Sequence, residues 1–104
     1  MADRVFLTGG SGFVGSFIID ELLRRGYAIT ALAHRDDLDD RNGALRIVKG
    51  GMFDQGALDA AMEGCDAVIH LVGIIMEDTS KNVTFLRIHF EGTRSIVQAA
   101  VRNR

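Results

Sequence analysis

The sequence predicts an α/β fold in which a parallel β-sheet of four strands carries helices on both faces. Four short apolar segments alternate with segments of helical periodicity along the 104 residues. This alternation is typical of parallel strands joined by right-handed crossovers. The fourth apolar segment, residues 67–72, shows no alternation of polar and apolar residues, which indicates a strand buried on both faces. The length suits a single domain over residues 1–104.

The first half of the chain predicts two strands with one helix between them. Residues 4–8 are strand formers that end at two glycines, and residues 27–33 form a second apolar run. Residues 12–25 have helical spacing, and Gly26 is a typical residue for the end of that helix. Residues 36–43 are polar and aperiodic, so they are interpreted as a loop. The helix residues expected to face the sheet are Phe13, Val14, Phe17, Ile18 and Leu22.

The second half predicts two further strands, a short helix and a long one. Residues 45–49 form the third strand, and residues 55–63 form a helix for which Asp54 is the expected N-cap. After the fourth strand and a polar loop at 77–82, helical spacing extends over residues 83–102. The positions of this last helix expected to face the core are Phe85, Ile88, Ile96 and Ala99.

Composition and charge exclude several classes of function. The 12 basic and 14 acidic side chains give a net charge of −2, which provides no electrostatic footprint for nucleic acid or an anionic membrane. Cys65 is the only cysteine, so an internal disulfide is excluded, and the three histidines lack metal-ligand spacing. There is no signal-peptide pattern and no apolar run of about 18–20 residues. A cytoplasmic protein is expected.

Three glycines at every third position follow the first predicted strand and open the first predicted helix. Gly9 permits a sharp exit from the strand, Gly12 leaves room for a pyrophosphate at the backbone, and Gly15 lets the helix pack closely. The free N–H groups of the first helical turn attract phosphate. The motif predicts a dinucleotide site, and a glycine-rich turn without a ligand is the alternative. The residues predicted to bind are Gly9, Ser11, Gly12, Phe13, Val14 and Gly15.

The spacing Thr-Gly-x-x-Gly-x-x-Gly over residues 8–15 resembles that of the extended and atypical short-chain dehydrogenases/reductases. Residues 72–75 and 88–93 are most similar to the NAD-dependent epimerase/dehydratase-like branch related to the NADH dehydrogenase (complex I) accessory subunit. The resemblance covers essentially the whole chain. It implies a Rossmann-like sheet with strand order 3-2-1-4, as in the N-terminal half of an NAD(P)-binding domain.

The end of the second strand predicts which cofactor is preferred. Enzymes that prefer NAD carry an acid there for the ribose 2′-OH, whereas an arginine accommodates the 2′-phosphate of NADP. Arg35 follows this strand and no acid precedes it. NADP(H) is therefore favoured over NAD(H), and a solvated arginine is the alternative.

The resemblance implies two further contacts with the cofactor. Relatives carry an acid after the third strand that contacts adenine, but Gly51 occupies that position here. The main chain of Met52 then remains to cover the edge of the base. Leu71, Val72 and Gly73 resemble a segment that passes under the adenine ribose, although a plain strand end explains them equally well.

The catalytic pair of the superfamily is absent from this sequence. Its chemistry depends on Tyr-x-x-x-Lys, in which the tyrosine is the acid/base and the lysine activates it. Tyr27 is the only tyrosine, and neither lysine follows it at that spacing. His70 and His89 are interpreted as core residues rather than catalysts. The chain alone is therefore expected to be inactive in hydride transfer.

The sequence leaves two functions open. The first is the NADP(H)-binding domain of an epimerase/dehydratase-like or NADH-dehydrogenase-like oxidoreductase, truncated before its fifth strand. The alternative is a non-catalytic accessory protein that senses a nucleotide or supports assembly. In the order 3-2-1-4 the fourth strand is an apolar edge. We therefore expect a homo-oligomer formed through this edge or through the helix of residues 83–102, unless a missing C-terminal half covers it.

Overall fold

A computed structural model describes residues 4–34, 38–72 and 78–103. Within them, four strands form one sheet in which every neighbouring pair is parallel. The order β3-β2-β1-β4 confirms the predicted order. After β1 the chain forms β2 and β3 on one side of β1, and it then returns to form β4 on the other side. The sheet therefore has a topological switch point at β1, where ligands commonly bind. The strands are β1 (Arg4–Thr8), β2 (Ala28–Ala33), β3 (Leu45–Lys49) and β4 (Ala67–His70).

Three α-helices cover the sheet: α1 (Phe13–Arg24), α2 (Gln55–Met62) and α3 (Gly92–Arg102). One apolar cluster packs Phe6 of β1 against α2 and α3, and a second packs Leu7 of β1 against α1. Since neighbouring residues of a strand point to opposite faces, helices lie on both faces of the sheet, as predicted. None of the helices in this described part of the chain has the length and apolarity needed to cross a lipid bilayer.

The inward face of α1 differs from the prediction. Phe13, Val14 and Phe17 were expected in the core, yet they are 81%, 57% and 63% exposed. Gly15 and Ile19 are buried instead, whereas Ile18 and Leu22 pack against the core as predicted and are partly buried. Gly15 has no side chain and approaches the preceding turn closely. The face of α1 that carries Gly15 therefore lies against that turn.

The start of the last helix also differs from the prediction. A 3₁₀ turn lies at Thr79–Lys81, and a π-helical segment at Leu86–Glu91 runs directly into α3. A π-helix has a wider turn than an α-helix, so its side chains leave the 3.6-residue spacing. Phe85 and His89, which were predicted to face the core, are therefore exposed, whereas Ile96 and Ala99 of the α-helical part are buried.

Strand β4 is shorter and more exposed than predicted. It ends at His70 rather than at residue 72, and Ala67 and Val68 are exposed. In the described residues it pairs with β1 alone, so it lies at the edge of the sheet. The unbroken apolar run suggested burial on both faces, but at this edge α3 covers β4 only in part.

Candidate functional site

A cavity of about 640 Å³ lies at the carboxyl ends of the strands. This volume is within the usual range for small-molecule sites, and the place is where open parallel sheets bind ligands. The segments that follow β1, β2 and β3 line it together with the approach to α3. The described residues that line it are Thr8, Gly9, Gly10, Ser11, Leu32, Ala33, His34, Leu38, Gly50, Gly51, Met52, Phe53, Val72, Lys81, Asn82, Val83, Arg87 and Ile88.

The glycine turn after β1 has a conformation that other residues adopt poorly. Gly9 has a φ of 75°, in the left-handed region. A Cβ atom on Gly9 would lie 2.8 Å from the carbonyl carbon of Leu71, so the neighbouring strand end leaves no room for a side chain. The N–H of Gly12 donates to the carbonyl oxygen of Gly9 at 3.2 Å and closes the turn. This geometry agrees with the sharp strand exit that was predicted.

The absence of a side chain has different consequences at Gly12 and at Gly15. A Cβ on Gly12 would meet only the Gly9 carbonyl oxygen, at 3.4 Å, so the space above this exposed residue is free for a ligand. A Cβ on Gly15 would lie 2.2 Å from the same oxygen. Gly15 therefore brings α1 close to the turn itself.

The first turn of α1 offers free hydrogen-bond donors. Gly12 is the extended N-cap and provides no side-chain cap, and the first turn holds no acidic residue. Among the described residues, no backbone acceptor meets the N–H groups of Phe13 and Val14. Free N–H groups at the positive end of a helix dipole attract phosphate. The open space at Gly12 and these donors together fit the pyrophosphate of a dinucleotide.

The loop after β3 is held in place by residues of α2 and α3. The hydroxyl of Ser95, which is 7% exposed, donates to the carbonyl oxygen of Met52 at 2.6 Å. The same oxygen atom of Ser95 accepts from Nε2 of Gln55 at 2.6 Å. Asp54 accepts from the N–H of Ala57 at 3.1 Å, which confirms its predicted role as the N-cap of α2.

The part of the cavity wall that Arg87, Phe53 and His34 form was missed by the sequence analysis. The guanidinium carbon of Arg87 lies 3.9 Å from the ring centroid of Phe53, and Nη1 of Arg87 donates to Oε2 of Glu91 at 3.2 Å. His34 also lines the cavity, close to the backbone of Gly51. The contacts of Arg87 with Phe53 and of His34 with Gly51 join segments that are distant along the chain, so no local pattern of residues could have indicated them.

The surroundings of His70 and Cys65 indicate structural roles rather than reactive side chains. Nδ1 of His70 and Oγ1 of Thr8 are 2.6 Å apart, and Nε2 of His70 is buried without a hydrogen-bond partner in the described part of the protein. Burial lowers the pKa of His70, so the neutral ring is favoured. The Cys65 thiol donates to the carbonyl oxygen of Ala61 at 3.4 Å, and burial raises its pKa. A reactive thiolate is thereby disfavoured.

The predicted site residues fall into three groups. Gly9, Ser11, Met52 and Val72 line the cavity. Four others form the start of α1 beside the turn, namely Gly12, Phe13, Val14 and Gly15. Leu71 lies outside the cavity lining and packs behind Gly9. Arg35 and Gly73 lie outside the described residues, so the contact with a 2′-phosphate stays a prediction.

Known proteins resemble this chain over most of its length. The model of the NAD dependent epimerase/dehydratase family matches residues 5–104. UDP-N-acetyl-alpha-D-glucosaminuronate decarboxylase of Bacillus cytotoxicus is 29% identical over 111 residues, which cover 100% of this chain and 35% of that protein. Cinnamoyl-CoA reductase 1 of Oryza sativa subsp. japonica is 33% identical over 106 residues, 92% of this chain and 30% of that protein.

Solved structures share the fold. A short-chain dehydrogenase/reductase superfamily protein from Agrobacterium tumefaciens, solved with bound NAD, is 25% identical with a TM-score of 0.78. The match covers 96% of this chain and 29% of that one. The Rossmann-like architecture and the epimerase/dehydratase branch of the superfamily are thus confirmed, whereas the link to the complex I subunit stays a prediction.

The family model and the curated relatives lead to the same family assignment. The chain spans about a third of the length of the curated relatives, 35% and 30% in the two cases above. Its match to the family model nevertheless runs from β1 to α3 and includes the glycine turn and the cavity. The chain belongs to the NAD-dependent epimerase/dehydratase family.

Proposed function

We propose that the chain binds a nicotinamide dinucleotide, with NADP(H) preferred over NAD(H), as the cofactor-binding part of an epimerase/dehydratase-type oxidoreductase. The observation that carries this proposal is the cavity at the carboxyl ends of the strands, where the turn at Gly9 meets the free N–H groups of α1. NAD bound to the Agrobacterium tumefaciens relative supports the class of ligand.

The charge of the cavity supports the preference for NADP(H). Among the described residues that line it none is acidic, whereas Lys81 and Arg87 are basic. The acid that would hold a ribose 2′-OH is therefore missing from this part of the wall, and Arg35 is the second residue after β2 in the sequence. An additional phosphate on the ribose suits these surroundings better than a free hydroxyl.

The residues of this chain bind and orient the dinucleotide, and a bound nicotinamide supplies the hydride chemistry. The N–H groups at the start of α1 hold the pyrophosphate, and the loop at Met52 lies along the same cavity. Tyr27 lies immediately before β2 and is not among the described residues that line the cavity. We therefore expect no hydride transfer from the 104-residue chain by itself.

Calorimetric titration of the full chain with NADPH and NADH tests the proposal. We expect NADPH to bind about tenfold more tightly than NADH, the effect of one charge-assisted contact. Arg35→Ala should abolish that preference, whereas Arg46→Ala, an exposed arginine on β3, should preserve it. Equal affinities in the wild type would overturn the preference for NADP(H). Binding of neither dinucleotide would overturn the proposal and favour the accessory-protein alternative.

A further inference from the structure

We infer that Arg87 holds a phosphate group of the bound dinucleotide in the cavity that it lines together with the glycine turn, an inference that rests on the proposed function. Arg87 lines the cavity together with Phe53, and Gly9, Gly10 and Ser11 of the glycine turn line the same cavity. The α1 terminus offers neutral N–H donors only. The phosphates of a dinucleotide are anionic, and Arg87 and Lys81 are the basic residues among the described lining.

The side chain of Arg87 is held in one place before any ligand arrives. Its guanidinium lies over the ring of Phe53, with 3.9 Å between the guanidinium carbon and the ring centroid. An ion pair with Glu91, at 3.2 Å, fixes one end of the guanidinium. The backbone N–H of Arg87 donates to Oγ1 of Thr84 at 3.0 Å. A restrained arginine loses less conformational entropy on binding than a free one.

Arg87 also keeps donors available for a ligand. A guanidinium has five N–H groups, and in the described residues only Nη1 has an acceptor, the carboxylate of Glu91. The remaining edge, formed by Nε and Nη2, can take a phosphate in the two-bond geometry that suits arginine. Glu91 is half-buried and balances the charge of Arg87 when no ligand is bound.

A matched pair of arginines separates this role from a structural one. Arg94 also lies over a phenylalanine, Phe90, at 5.5 Å, but it is exposed and outside the described cavity lining. We expect Arg87→Leu to weaken NADPH binding by about tenfold or more, the usual effect of losing charge-assisted hydrogen bonds. Arg94→Leu should leave the affinity unchanged. Arg87→Lys keeps the charge but loses the planar fork, so its affinity should fall between the two.

Comparing NADPH with NADH identifies the phosphate. A larger loss for NADPH than for NADH in Arg87→Leu indicates the 2′-phosphate, and an equal loss indicates the pyrophosphate. Equal affinities of Arg87→Leu and Arg94→Leu, with wild-type binding intact, would overturn the inference and leave the proposed function standing. If the wild type binds neither dinucleotide, both are overturned.

A second variant keeps the test decisive if Arg87→Leu fails to fold. Glu91→Gln removes the competing carboxylate while it retains the aromatic contact with Phe53. We expect this variant to bind NADPH about twofold more tightly, because an i,i+4 ion pair of this kind is worth about 0.3–0.5 kcal/mol. Unchanged or weaker binding would contradict a phosphate contact at Arg87.

Discussion

Because Gly15 has no side chain, the first helix packs directly against the turn that precedes it. A Cβ atom at this position would lie 2.2 Å from the carbonyl oxygen of Gly9 and 2.8 Å from the Cα atom of Gly10. Both are backbone atoms, and they cannot rotate away as the end of a long side chain can. Any other residue at this position has to push α1 away from the turn, together with the free N–H groups at the start of α1.

We expect Gly15→Ala to lower the free energy of unfolding by about 1–3 kcal/mol, the usual cost of overpacking. Gly56→Ala is the matched control, because Gly56 is also helical but its Cβ would meet only Oδ1 of Asp54 at 3.6 Å. That alanine should stabilise the protein by about 0.5–1 kcal/mol. Denaturant unfolding followed by circular dichroism measures both changes. Equal stabilities of the two variants would contradict the close approach.

At the scale of single residues, the sequence predicted the glycine turn after β1 but did not predict the contact between Arg87 and Phe53 at the cavity. The glycine spacing is a local pattern, and each glycine meets a physical need within a few residues of itself. The stack of Arg87 on Phe53 joins the approach to α3 with the loop after β3. Its geometry depends on how the whole sheet places those two segments, and neither segment carries a sign of it alone.

At the scale of elements, α3 positions the loop that follows β3. The Ser95 hydroxyl of α3 donates to the Met52 carbonyl and accepts from the Gln55 amide, both at 2.6 Å. Gly92, one turn earlier, leaves space for Met52, because a Cβ on Gly92 would lie 2.5 Å from its sulfur atom. The helix thus holds the loop through a hydrogen bond and a close contact at neighbouring points.

We expect Ser95→Ala to lower the free energy of unfolding by about 1–3 kcal/mol, because a buried carbonyl loses its donor. NADPH binding should weaken as well, since Met52 lines the cavity. Thr93→Ala, an exposed change on the same helix, is the control and should alter neither quantity. Denaturant unfolding and calorimetry provide the two measurements. A variant that loses stability but keeps the wild-type affinity would show that Ser95 does not position this loop for binding.

Element order was easier to predict than the face that each helix turns inward. Apolar runs alternating with helical periods are sufficient to define strands and helices in sequence. The predicted face of α1 was wrong at Phe13 and Phe17, which form an apolar pair on the exposed side with 5.1 Å between ring centroids. In the last helix, the π segment Leu86–Glu91 turns His89 outward. A search for a 3.6-residue period does not detect the wider turn of a π-helix.

At the scale of the whole molecule, the two edges of the sheet differ in chemistry. The β3 edge carries the exposed residues Arg46 and Lys49, and charged side chains on an edge resist pairing with other chains. The β4 edge carries exposed Val68 and borders a groove of about 530 Å³. The groove is lined by Val68, His70, Thr93, Ile96, Val97, Ala100 and Val101.

We expect the chain to self-associate at micromolar concentrations through the β4 edge. A strand of a second copy paired with β4 extends the sheet, satisfies its open backbone groups and covers the apolar groove. Light scattering coupled to size-exclusion chromatography measures the mass. Val68→Lys places a charge on this edge and should shift the chain towards the monomer. Ala60→Lys, an exposed change on α2, should leave the mass unchanged.

The same measurement distinguishes the strand from the helix as the site of association. Val101 is 56% exposed on α3 at the other border of the groove. If Val101→Lys dissociates the oligomer and Val68→Lys does not, the interface belongs to α3 rather than to the edge of the sheet. A strictly monomeric wild type would contradict both forms of the prediction. The exposed valines would then face solvent in the free chain, at the cost in apolar hydration that pairing would otherwise remove.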